Sequence, residues 1–258
     1  MLTAYIKAEE QKSRHTVSAK LFWIVPGVSI LLGLLFSGMD ARYYQMNQFN
    51  WWYTTLFPML LLLSTAFTEQ RERKLKNRAM QVLPVDMKKL WAAKVFCSFK
   101  TLFLAAVIIF LAQECISRIF AGGAVREIST TAALTAAALW LVLSAWQIPL
   151  WLFVNQKFGF TFSLLFGMVC NAGLGLLGAA YVWWIVNPFS YICRLMCPVL
   201  KILPNGLPAE PGNMTFYPEL LDKSVIPAAV GISVVLFIVC FAVTALWYEK
   251  KGEKGWEK

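Results

Sequence analysis

Apolar residues fall in six blocks along this chain, each bounded by a short run of polar or charged positions. The blocks cover residues 21–39, 51–67, 95–116, 131–153, 158–186 and 225–247. A crossing of the bilayer core takes ~17–25 apolar residues in a helix, and even the short second block reaches. No water satisfies the backbone inside lipid, so each block reads as a transmembrane helix rather than an open strand. The pattern predicts an all-α integral membrane protein with six spans in one domain, residues 1–258.

The breaks carry predictions of their own. Residues 1–20 place Leu2, Tyr5 and Ile6 on one helical side and Glu9, Lys12 and Arg14 elsewhere, which predicts an amphipathic helix on the inner membrane surface. No small-residue cleavage site follows the first apolar block, which argues against a signal peptide. A polar loop, DARYYQMNQFN, leads into the aromatic cluster Trp51, Trp52 and Tyr53. Asn155, Gln156 and Lys157 read as a tight turn between the fourth and fifth spans. The fifth span holds Asn171 and the small residues Gly173, Gly175, Gly178 and Ala179, which suit close helix packing in lipid. Asn187 and Pro188 end that span and open a long Pro-rich segment before the last one.

Composition agrees with the pattern. Of 258 residues, 59% are hydrophobic and only 15% charged, against about a quarter charged in soluble domains. The net charge of +10 raises the question of nucleic acid, and its distribution answers it. With both termini inside, seventeen Lys and Arg fall on the cytoplasmic side and six outside, the asymmetry that sets topology. The charge faces anionic lipid, and no nucleic-acid site is needed. Lys100 lies a little inside the third span and is expected to snorkel to the interface.

The inventory of reactive groups is short. No G-x-x-x-x-G-K-[ST] occurs, so this chain has no P-loop for ATP. One histidine, His15, leaves no His-based metal site or Ser-His triad. The six cysteines show no CxxC or zinc spacing, although Cys193 and Cys197 share a helix face. Glu9, Glu10 and Arg14 spell E-E-x-x-x-R, a pattern of intramembrane CAAX-type proteases. Those enzymes carry it within the membrane with later histidines, and this chain has neither feature. Apart from Lys100 and Glu114, both close to interfaces, the spans hold no charged residue. Ion-coupled pumps normally need carboxylates or histidines at membrane depth, so energy for any transport should arrive from outside the bundle.

The longest charged break, TEQRERKLKNRAMQVLPVDMKKLWAAK at residues 68–94, carries eight basic residues and three acids. The second span is expected to continue as helix through Glu69–Lys74, and a short helix to cover 75–83. Pro84 then breaks the chain, because proline disfavours helix in the residue before it. Asp86 falls in the first turn of the next helix, where the dipole favours a carboxylate. Such a segment is either a rigid lever on two spans or a solvated basic loop anchored to headgroups.

At these residues the sequence resembles a known family. Glu69 or Glu72, then Met80-Gln81-Val82-Leu83-Pro84-Val85-Asp86, then Lys94 is similar to the coupling loop of type-2 ABC exporter permeases. The closer resemblance is to permeases of lantibiotic immunity and resistance exporters, the MutE/EpiE-like subfamily. It is carried by Phe49-Asn50-Trp51-Trp52-Tyr53-Thr54, by Lys74-Leu75-Lys76-Asn77-Arg78-Ala79, and by Arg194-Leu195-Met196-Cys197-Pro198 with Pro204-Asn205-Gly206.

The resemblance implies a non-catalytic permease subunit in the plasma membrane of a Gram-positive bacterium, expelling lanthionine-containing cationic peptides from the bilayer. It implies two copies of a separate ATPase, which binds ATP and Mg, and a second permease or a second copy of this chain. No cofactor or metal is expected in this chain itself. Glu69, Glu72, Lys74, Leu75, Lys76, Arg78, Leu83, Pro84 and Asp86 would couple to the ATPase. Trp51, Trp52 and Tyr53 would touch peptide or form an interfacial belt. Pro188, Arg194 and Pro198 would belong to an outer gate or to a structured outer loop. Export of another amphipathic substrate, or a membrane sensor or scaffold without transport, are the alternative readings.

Overall fold

The computed structural model describes residues 2–36, 41–74, 85–121 and 128–256. Its described residues form helices and turns with no strand; Ile202 and Pro208 make an isolated bridge. The helices are α1 (Leu2–Ser13), α2 (Leu21–Phe36), α3 (Ala41–Trp51), α4 (Phe57–Lys74) and α5 (Met87–Ala121). The second half contains α6 (Thr130–Ser144), α7 (Gln147–Phe158), α8 (Phe160–Met168), α9 (Gly175–Ala179), α10 (Tyr191–Leu200) and α11 (Val225–Trp256).

Among the described residues, four helices are long and apolar enough to cross a membrane: Val17–Phe36, Met87–Ile119, Phe160–Ala179 and Val225–Lys251. A fifth crossing forms if α6 and α7, bent by 43°, are one span. The bend has a local cause. Pro149 cannot donate to the carbonyl four residues back, and Ile148 bonds Ala145 three residues back at 3.1 Å instead. The predicted second span, 51–67, begins as a widened turn, Trp52–Leu56, just ahead of Pro58, and runs into α4. As expected, α4 continues through Glu69 to Lys74.

Three expectations are corrected. The polar stretch before Trp51 is helix α3, not a loop. Its glutamines point inward: Gln48 donates to Ser29 Oγ at 3.0 Å, and Gln45 Oε1 accepts from the Ile128 amide at 3.1 Å. Asn155, Gln156 and Lys157 are the last turn of α7. The reversal falls on Gly159, whose φ of 94° is open to glycine and strained for other residues. Lys100 pairs with Glu10 of α1 at 2.5 Å. The predicted fifth span is also interrupted, by a widened turn at Val169–Leu174 and a 3-10 turn at Val182–Val186.

Helix contacts give the bundle two polar ends. At one end Tyr5 Oη accepts from the Asp86 amide at 3.0 Å, and Lys88 pairs with Glu249 at 2.9 Å. Both terminal helices therefore meet the start of α5. At the other end Glu114 of α5 binds Arg118 at 3.3 Å and the Thr130 hydroxyl of α6 at 2.9 Å. Between them lies an aromatic core in which Trp140 packs on Phe49, Trp52 and Phe57 with centroids 5.8–6.3 Å apart. In lipid such dense contact holds helices together where no hydrophobic drive exists.

Among the described glycines, Gly175 makes the closest approach to another backbone. A Cβ there would sit 2.9 Å from the Phe189 carbonyl oxygen, which is backbone and cannot swing away. Gly175→Ala is expected to cost roughly 1–3 kcal/mol, the range of core overpacking. Gly173→Ala meets only a side-chain atom at 3.9 Å and should be tolerated. Thermal unfolding of the two purified variants checks the contrast.

Candidate functional site

The charged end is built from the last turns of α4, α7 and α11 and the first turns of α5 and α8. Glu69 lies one turn before the end of α4, and Lys94 two turns into α5. Their side chains meet at 2.8 Å, with Lys94 fully buried and Glu69 3% exposed. Gln156 of α7 donates to the second Glu69 oxygen, and Lys251 of α11 donates to the Gln156 carbonyl. The Lys94 ammonium lies 5.3 Å over the Tyr248 ring of α11, a cation–π contact. Trp91 stacks beside Tyr248 at 4.7 Å and donates to Thr244 Oγ1 at 3.0 Å.

Four helices are thus tied by one buried ion pair and its hydrogen bonds. Desolvating two charges is expensive, and a pair of this kind persists when its remaining hydrogen-bonding positions are filled. Here Gln156 and the Tyr248 face fill them. A cleft of about 650 Å³ opens beside Glu69, between α4, α7 and α8, with Asn155, Thr161 and Lys251 on its wall.

Asp86 sits at the entrance to α5 as its N-cap rather than within its first turn. Its carboxylate accepts from the Lys89 amide at 3.1 Å and pairs with the Lys89 ammonium at 2.6 Å. The Lys89 hydrogen bonds hold the Asp86 carboxyl below its ordinary value. Glu72 and Lys74 belong to α4. Leu75, Lys76, Arg78, Leu83 and Pro84, with the expected short helix at 75–83, lie outside the described residues. The two segments that flank them, α4 and α5, are locked together by Glu69 and Lys94.

The remaining sequence-predicted residues separate by burial. Trp51 is 40% exposed and stacks on Phe36 at 6.1 Å. Trp52 and Tyr53 are buried at 0% and 1%; their neighbours are core side chains. Pro188 starts a short 3-10 turn, and Pro198 is buried inside α10. Arg194 is buried too, with its guanidinium donating to the Leu220 and Glu219 carbonyls at 2.7 and 2.6 Å and lying 5.3 Å over Trp184. It fastens the Glu219–Leu220 turn to α10. Among the described residues no group of acids, histidines or cysteines could hold a metal, and the six cysteines are unpaired thiols.

Sequence reasoning missed Gln156, Tyr248 and Lys251 as members of the site. The only signal was a glutamine and a lysine close to span ends, and it carried no indication of which helices would meet.

The family model described as ABC-2 family transporter protein matches residues 5–173. The chain belongs to the ABC-2 transporter family. The matched part of this ABC-2 chain runs from α1 to the widened turn after α8, so it contains Glu69, Lys94 and Gln156. Tyr248, Lys251 and the Arg194 clamp lie beyond it. ABC-2 proteins are membrane components of transporters and generally work with an ATPase subunit. No curated protein and no solved structure matches the chain.

Proposed function

We propose that this chain is the permease subunit of an ATP-driven exporter that expels lantibiotic-type cationic antimicrobial peptides from the membrane, giving immunity or resistance. ATP and Mg would bind in a separate ATPase, in two copies, and the permease would pair with a second related permease or with itself. The helix from Trp52 to Lys74 runs from the aromatic core to the charged end and is proposed as a further crossing, the sixth if α6 and α7 form one span. The excess of Lys and Arg at the charged end supports placing both termini in the cytoplasm of a Gram-positive bacterium.

The observation that carries this reading is the Glu69–Lys94 pair in a chain of the ABC-2 family. It sits at the base of the 75–84 segment and joins four helices, so a partner that moved this segment would move the bundle. The absence of a P-loop in the sequence supports an outside energy source. Trp51, with its exposed face near the opposite end, is the member of the aromatic trio best placed to meet an amphipathic peptide.

Replacing residues 75–83 by a flexible Gly/Ser stretch tests the lever. The protein should still insert in the membrane, while co-purification of the ATPase weakens and cells lose protection against peptide. Full protection with the replaced segment would contradict export and favour a sensor or scaffold.

A further inference from the structure

A second cleft, of about 520 Å³, lies beneath α1 at the charged end, between α1, the start of α2, α4 and α5. It is distinct from the Glu69 cleft and takes no part in the coupling reading. Its mouth carries Lys7, Arg14 and Lys100; its inner wall carries Phe22, Leu104 and Ser98. Glu9 and Glu10 also line it, and both are occupied: Lys12 holds Glu9, and Lys100 holds Glu10, each at 2.5 Å. Lys7 and Arg14 have no carboxylate partner among the described residues. Two uncompensated cations therefore rim the cleft.

Ser98 supplies the second, independent observation. Its residue is 1% exposed, it lines the cleft, and its hydroxyl has no hydrogen-bond partner. A buried donor left unmade costs free energy, so a ligand with an acceptor oxygen is the natural complement. The other hydroxyls nearby are already donating to backbone: Ser64 to Leu61 and Thr101 to Cys97.

We infer that this cleft binds the phosphate headgroup of an anionic glycerophospholipid. The phosphate takes Lys7 and Arg14 at the mouth and the Ser98 hydroxyl within. The glycerol and upper acyl carbons lie along Phe22 and Leu104. Depth favours a lipid over free phosphate, because Ser98 and Leu104 belong to Met87–Ile119, a helix apolar enough to span the membrane, while Lys7 lies on α1 and Arg14 in the turn after it, both outside that helix. A basic pocket among membrane helices at the headgroup level is suited to lipid recognition. The lipid would fix α1 against α4 and α5, the helices that carry Glu69 and Lys94.

The test is thermal unfolding of the full chain in neutral detergent, titrated with dioleoyl phosphatidylglycerol, dioleoyl phosphatidylcholine or inorganic phosphate. Phosphatidylglycerol should raise the unfolding temperature saturably, and phosphatidylcholine should do so less. Lys7→Gln and Arg14→Gln should each weaken the apparent affinity roughly fivefold, the effect of one cation near an anionic surface. Ser98→Ala should weaken it further without lowering the lipid-free unfolding temperature. Lys20→Gln with Lys250→Gln removes two charges from the same end outside the cleft, more than either single variant, and should change nothing. An equal response to both lipids, or equal losses in the Lys20/Lys250 control, would overturn the site. Inorganic phosphate reproducing the full shift would replace the lipid by a free anion.

Discussion

Removing one partner of the Glu69–Lys94 pair is expected to destabilise the bundle by about 3–5 kcal/mol, the cost of leaving a buried charge uncompensated. Glu69→Gln leaves a fully buried ammonium facing a neutral amide. Lys94→Met leaves a buried carboxylate without its ammonium partner. The double substitution removes both charges and should recover most of the loss, because the large term is the orphaned charge and not the pair itself. A double-mutant cycle on the unfolding free energy of the purified chain measures this directly, and a coupling below about 1 kcal/mol would contradict the burial of the pair. The Lys100–Glu10 pair is the control. Its side chains are 48% and 42% exposed, so Glu10→Gln should cost less than about 1 kcal/mol.

Arg194→Leu is expected to release the segment 200–221 at a cost of about 3 kcal/mol. The guanidinium makes two hydrogen bonds to carbonyls, and charge-assisted bonds contribute about 1.5–3 kcal/mol each, without full additivity. The substitution also removes the contact over Trp184 and strands the Leu220 and Glu219 carbonyls. Leu220 belongs to a small core with Cys197, Leu203 and Ala209, so that core should loosen with it. Arg194→Lys keeps the charge without the fork that reaches two carbonyls, and should recover only part of the loss. Hydrogen exchange over residues 200–221 is the measurement. Unchanged protection in Arg194→Leu would show that the clamp does not hold this segment.

The helical class and most apolar crossings were legible because hydropathy reports burial in lipid, whatever the helices pack against. The helix continuing through Glu69–Lys74 was legible for a local reason: nothing in that stretch breaks a helix before Pro84. The failures have equally specific causes. The segment 41–51 is polar and reads as loop, yet Gln45 and Gln48 satisfy buried partners on distant elements. Composition marked Asn155–Lys157 as the turn, whereas the backbone reverses where a positive φ is possible, at Gly159.

The candidate site was half legible. Glu69 and Lys94 stood out as charges at span ends, but they are 25 positions apart, and Gln156 is 87 from Glu69. No periodicity links residues so far apart; only helix packing does. Arg194 illustrates the converse. A cation in a Pro-rich segment suggested an outer gate or a structured outer loop, and the sequence did not show that the fold buries it against two carbonyls. Trp51, Trp52 and Tyr53 looked equivalent in sequence, while consecutive helical positions turn by about 100° and send their side chains different ways.

ATP-dependent removal of peptide from a membrane tests the export reading most directly. The chain and its ATPase partner would be reconstituted in phospholipid vesicles carrying a fluorescent cationic lanthionine peptide. Membrane-bound peptide should fall when ATP is added, in proportion to hydrolysis, and should stay constant when residues 75–83 are replaced by Gly/Ser. A complex that hydrolyses ATP while membrane-bound peptide stays constant would contradict the account.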